Sequence, residues 1–182
     1  MDIKVLVPIS HGTEELEAIT IIDLLRRGSI NVKVAGENEI ITCSRGVKII
    51  PDCLLHKLED NDEFDAIVIP GGYEGTNNLM NNEKLQAILK HNFKSGKLIG
   101  AICAAPIILV KHKLISKDFK ITSHPSVKNY FEGYDYSEDR IVIQDNIITS
   151  RAVGTAIDFA LVIIELLINV ETAEKIAREI LY

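Results

Sequence analysis

Short apolar runs alternate with helix-like stretches along this chain, and glycine or proline marks most of the junctions. Ile3 to Ile9, Ile30 to Ala35, Phe64 to Ile69 and Leu98 to Cys103 read as buried strands. Between them, one helix runs from Thr13 as N-cap to about Arg27 and stops at Gly28, and another from Leu79 to Ser95 ends at Gly96. A third opens at Pro106, where a missing N–H is harmless. Strands buried on both faces and separated by helices define an α/β fold, a doubly wound and mainly parallel sheet with helices on both faces. Ile40 to Ser44 and Val47 to Ile50 flank Arg45-Gly46 as a hairpin, and Leu54 to Glu59 reads as a short helical turn. Phe119 to Thr122, residues 134–143 and residues 146–150 supply further strands. Ala156 to Ile168 and Glu171 to Leu181 supply two more helices.

For 182 residues a single domain spanning 1–182 is the expectation. The net charge of -6 provides no basic footprint, so neither nucleic acid nor an acidic membrane is an expected partner. Cys43, Cys53 and Cys103 form no C-x-x-C pair, and an odd total of three suits a reducing, cytoplasmic compartment. No basic stretch precedes Ile3, so no signal peptide is expected. The longest apolar run, Phe159 to Ile168, is interrupted by Glu165 and is too short to span a bilayer. The five histidines show no metal-ligand spacing. Pro70-Gly71-Gly72-Tyr73-Glu74-Gly75 is neither G-x-G-x-x-G nor a P-loop, so no metal or cofactor is expected.

The chemistry gathers at strand ends. Leu98 to Pro106 reads as strand, sharp turn and helix, with Cys103 at the turn. A nucleophile elbow uses this arrangement, because amides at the helix start favour a thiolate and hold a developing oxyanion. A small buried cysteine in a parallel sheet fits the stretch equally well. Glu17 shares a helix face with Ile21 and Leu24, so it is either a carboxyl held neutral on an apolar stripe or one more solvated glutamate. Pro125 projects His124 from a strand end. Gly71-Gly72 would let a ligand approach the backbone, or simply form a tight turn. In doubly wound sheets ligands lie beyond the C-terminal strand ends, and all four features fall on that edge. Their convergence favours an active site. Separately, Ile19, Ile21, Ile22, Leu24 and Leu25 cover more than one face of the first helix and predict a homodimer.

Several stretches together resemble the ThiJ/PfpI superfamily, in the branch of the parkinsonism-associated protein deglycase. They are Gly12-Thr13-Glu14-Glu15-Leu16-Glu17, Arg26-Arg27, Val34-Ala35-Gly36, Cys43-Ser44-Arg45, Pro70-Gly71-Gly72, Ala101-Ile102-Cys103-Ala104, Thr122-Ser123-His124-Pro125 and Thr149-Ser150-Arg151. The resemblance implies a flavodoxin-like fold and a homodimer. Cys103 matches the family's reactive cysteine, Glu17 the protonated glutamate bonded to it, and His124 the nearby histidine. Gly71, Gly72 and Ala104 match the oxyanion and substrate pocket. Arg27 and Arg45 match arginines near the dimer interface, with Asp23 as a partner. The implied activity is that of a cofactor-independent glyoxalase or deglycase, acting on methylglyoxal-type dicarbonyls or glycated adducts. Its Cys103 would be a low-pKa thiolate, with Glu17 and His124 moving protons. The alternative is a redox-sensing chaperone or regulatory protein whose Cys103 is oxidised to a sulfinate. Peptidase members usually carry histidine after the cysteine, where this chain has Ala104. Ala105 stands where relatives often have glycine, which narrows the elbow. The chain ends at Tyr182 without the extra C-terminal helix of animal members, which implies a less covered site.

Overall fold

The computed structural model describes residues 3–59 and 62–182. In chain order its elements begin with β1 (Lys4–Ile9), α1 (Glu15–Arg27), β2 (Asn31–Gly36), β3 (Ile41–Thr42), β4 (Lys48–Ile49), β5 (Cys53–Leu54) and β6 (Ala66–Ile69). There follow α2 (Tyr73–Met80), α3 (Glu83–Lys94), β7 (Leu98–Ile102), α4 (Pro106–Lys111), β8 (Lys120–Ile121) and β9 (Asp135–Tyr136). The last elements are β10 (Ile141–Gln144), β11 (Ile147–Ser150), α5 (Ala156–Leu167) and α6 (Val170–Glu179). Seven strands form the main sheet in the order β10-β11-β7-β6-β1-β2-β5, parallel except for the β10–β11 pair. This is the expected doubly wound α/β architecture.

Alternation along each strand feeds two cores. Val5 and Val7 face α1, α5 and α6 with Phe159 and Ile163, while Leu6 joins Ile67, Leu85, Leu89 and Leu109 beneath α2, α3 and α4. From β1 the chain winds outward through β2 and then returns to β6 on the other side, so a topological switch point lies between β1 and β6. There the strands part: β1 pairs with β6 only at Val5 and Leu6 but follows β2 as far as Ile9. Pro8, which cannot donate to a ladder, falls just beyond the β6 pairing. Among the described residues, no helix is long and apolar enough to cross a membrane.

Several expectations need correction. Thr13 does not cap α1; its Oγ1 accepts from the Ser10 N–H at 3.0 Å, and Glu14 takes the cap by accepting from the Glu17 N–H at 2.8 Å. The helix expected over Leu79–Ser95 is two helices, because Asn82 Oδ1 accepts from the Leu85 N–H at 3.0 Å and starts a new one. β8 pairs with β9 in a small separate sheet rather than with the main one. The apolar surplus of α1 is mostly absorbed within the chain: Ile21, Ile22, Leu24 and Leu25 are buried, leaving Ile19 and Leu16 exposed.

Candidate active site

β7 delivers Cys103 into the turn before α4 with φ at +65°, a left-handed conformation that a non-glycine residue adopts at a cost of about 1–3 kcal/mol. The strain is held from both sides. The Cys103 N–H donates to Ser150 O at 3.0 Å, and its carbonyl accepts from the His124 N–H at 2.8 Å. The amides of Gly72 and Ala104 donate to the sulfur. Gly71 and Gly72 are therefore more than a tight turn. A Cβ on Gly71 would lie 2.5 Å from the Cys103 Cβ, and one on Gly72, whose φ is +87°, would lie 2.2 Å from Gly12 O. Both glycines let the end of β6 press against the elbow and the loop before α1. Of the three residues expected in the oxyanion and substrate pocket, Gly71 has its N–H engaged elsewhere, donating to Glu17 Oε2 at 2.8 Å.

Glu17 is fully buried on the inner face of α1, as its spacing from Ile21 and Leu24 implies. Its carboxyl reaches the Cys103 thiol, and Oε1 is buried with no hydrogen-bond partner. Burial pushes its pKa up to about 7; the Gly71 amide and the Cys103 contact pull the other way, and the negative Glu14 nearby adds to the rise. Cys103 is pushed up to about 12, first by burial and then by the charge of Glu17, against the two amides that favour the thiolate. This corrects the expected low-pKa thiolate. Burial by the packed sheet edge outweighs two amide donors, and an ionised Glu17 opposes a second negative charge beside it. A neutral Glu17 removes that opposition.

His124 reaches the elbow through its backbone. Its ring Nδ1 is engaged with Ser126, 2.7 Å from Oγ and 3.2 Å from the N–H, which leaves Nε2 as the nitrogen for any exchange with a ligand. Among the described residues no hydrogen bond joins this ring to Cys103 or Glu17. Asp23, Arg27 and Arg45 lie elsewhere. Asp23 and Arg27 form an exposed ion pair at 2.7 Å on α1, and Arg45 stands on the β3–β4 hairpin with its guanidinium donating to Ser44 O at 3.2 Å. Burial raises the thiol pKa of Cys43, to about 11, and that of Cys53, and neither cysteine has an elbow.

Sequence reasoning missed Glu15, which reads only as a negative charge near a helix start. Its carboxylate accepts from Ser44 Oγ and the Arg45 N–H, both at 2.8 Å, and so ties the hairpin to α1. Burial alone would raise its pKa. Hydrogen bonds from its own amide, Ser44, Arg45 and Val47 together hold it below the ordinary value.

A mainly parallel seven-stranded sheet with a strained cysteine beyond one strand, a buried carboxyl against it and two amides on its sulfur defines a flavodoxin-like α/β protein with a cysteine elbow. The DJ-1/PfpI family profile matches residues 3–166, and the chain belongs to this family. It is 44% identical to protein DJ-1alpha of Drosophila melanogaster, over 97% of this chain and 83% of that protein. It is 39% identical to the glutathione-independent glyoxalase DJR-1.2 of Caenorhabditis elegans, over 92% of this chain and 90% of that one. The solved structure of oxidized Toxoplasma gondii DJ-1 superposes with a TM-score of 0.94 at 40% identity, covering 99% of this chain and 98% of the other.

Proposed function

We propose that this protein is a glyoxalase that needs no cofactor and acts on methylglyoxal-type dicarbonyls, with extension to their early protein adducts as a deglycase. The observation that carries this reading is the Cys103–Glu17 pair, a thiol beside a buried carboxyl whose pKa of about 7 matches a neutral working pH. Glu17 takes the thiol proton as sulfur attacks the aldehyde carbon, giving a hemithioacetal whose oxygen is held by the Gly72 and Ala104 amides. Glu17 gives the thiol proton to that oxygen; removal of the carbon-bound proton, its return to the neighbouring carbon and passage of the hydroxyl proton to that carbon's oxygen, with Glu17 and His124 Nε2 as carriers, then give a lactoyl thioester. Water cleaves the thioester to lactate and restores the thiol. The test is lactate formation from methylglyoxal without glutathione or added metal. Wild-type turnover that is lost in Cys103→Ser is the expected result; equal rates in the two proteins would sink the reading.

A second reading is favoured by the same donors. Two amides and a neutral Glu17 suit a sulfinate on Cys103, with peroxide as the oxidant, and the Toxoplasma relative was solved in an oxidized form. A homodimer and a cytoplasmic setting belong to the proposal as well. Leu16 and Ile19 leave apolar surface on the outer side of α1 beside Asp23 and Arg27, and Val47 and Ile50 extend it on the hairpin carrying Arg45. Sedimentation at micromolar concentration should show a dimer, and a monomer would remove that part.

A further inference from the structure

Two large aromatic rings stand half in solvent near the elbow and contribute little to either core. Tyr73, 52% exposed, is the first residue of α2 and directly follows Gly72, whose amide holds the Cys103 sulfur. Tyr130, 41% exposed, belongs to the 3-10 segment Pro125–Phe131 that begins just after His124, whose N–H holds the Cys103 carbonyl. Their hydroxyls lie 2.9 Å apart. The two segments anchored on Cys103 are thus joined again at their outer ends, through one hydrogen bond between Tyr73 and Tyr130. The Asn77 side chain also bonds the Tyr73 hydroxyl and ties that ring to α2. No such second tie is present on the Tyr130 hydroxyl among the described residues.

We propose that Tyr73 and Tyr130 form a size-selecting gate beside Cys103, closed by their hydroxyl–hydroxyl bond to all but small carbonyl compounds and opened to admit bulkier ones. The hydrogen bond is exposed and therefore easily exchanged for water, so opening is reversible and needs no change in the core. The substrate half of this inference rests on the proposed glyoxalase reading; the gate itself does not. Tyr73→Phe and Tyr130→Phe each keep the ring and remove the bond. Alkylation at Cys103, followed by peptide mapping, would be compared for iodoacetamide and for a bulky benzophenone maleimide. Each variant is expected to raise the maleimide rate by roughly three- to tenfold, the opening bias set by one lost hydrogen bond, relative to the iodoacetamide rate. The ratio of kcat/KM for phenylglyoxal to that for methylglyoxal should rise in parallel. An alkylation ratio unchanged in both variants overturns the gate. Wild-type protein without lactate formation would remove the glyoxalase reading and leave the alkylation ratio to decide the gate alone.

Discussion

Glu15 and Glu17 stand two residues apart on the same helix, are 6% and 0% exposed, and end in opposite states. Burial is the largest single influence on each carboxyl. What separates them is the supply of donors. Glu15 lies just under the hairpin and collects hydrogen bonds from a hydroxyl and several amides, so it stays ionised and acts as a structural anchor. Glu17 lies deep against the sheet edge with one amide and a thiol, so its ionisation is held at about 7. A buried carboxyl is structural or reactive according to how completely its oxygens are satisfied. The single unpartnered oxygen of Glu17 is the visible mark of the second case.

The largest effect that can break this comparison is on turnover. Glu17→Gln keeps a hydrogen-bonding side chain but cannot exchange a proton. Lactate formation is expected to fall by about 10²–10⁴-fold, the range a positioned acid–base group contributes. Iodoacetamide should still label Cys103, because the variant also removes the charge that opposes the thiolate. A Glu17→Gln protein that turned over methylglyoxal like the wild type would reduce Glu17 to a structural support, and the redox reading would gain.

Stability against pH comes next, with opposite signs for the two residues. The folded pKa of Glu17 is raised, so its proton stabilises the fold fully below the ordinary value of 4.5, and that contribution is lost as pH rises through about 7. A shift of this size corresponds to about 3 kcal/mol. Relative to wild type, Glu17→Gln should therefore gain about that much between pH 5 and pH 9 in urea unfolding. Glu15 is depressed, so its contribution is present above 4.5 and lost as pH falls through its lower folded value. Glu15→Gln should be less stable than wild type at neutral pH and converge with it in acid. Parallel pH profiles for the two variants would show that donor supply does not distinguish them.

The reactive member of the pair was legible in the sequence and the structural one was not. Glu17 announces itself by sharing a stripe with Ile21 and Leu24, a local periodicity. The partners of Glu15 are Ser44 and Arg45, on a hairpin that only the tertiary fold brings over α1. The same division holds elsewhere. Strand, Cys103 and Pro106 spell out the elbow locally. The raised thiol pKa depends on burial by packed neighbours, and local helix-start chemistry pointed the other way. Gly71-Gly72 showed that a backbone must come close, but not that one N–H is taken by Glu17 and the other serves the sulfur. The break at Asn82 was missed because the apolar pattern runs on through a residue whose side chain recaps the helix. Thr13 lost the cap to Glu14 because its hydroxyl is spent on the Ser10 N–H within the tight loop after β1.

The smallest predicted effect concerns the third glutamate of the group. Glu14 caps α1 through its own carboxylate and, one turn from Glu17, contributes a negative charge that raises the pKa of its neighbour. Burial is the larger cause, so removing the charge should shift Glu17 only modestly. Glu14→Gln retains an acceptor oxygen for the Glu17 N–H, so the helix start persists and the electrostatic part is isolated. With the like charge gone, the ionised form of Glu17 is less opposed, and its midpoint must move down from about 7. Carbon-13 NMR titration of the Glu17 carboxyl reads this directly. The acid limb of the lactate profile should follow it in the same direction, because the carboxylate that takes the thiol proton would then be populated at lower pH. Added salt should shrink the difference between variant and wild type, since Glu14 is near enough to solvent for its field to be screened. A midpoint that stayed in place, or moved upward, would mean that donors and depth alone set the state of Glu17.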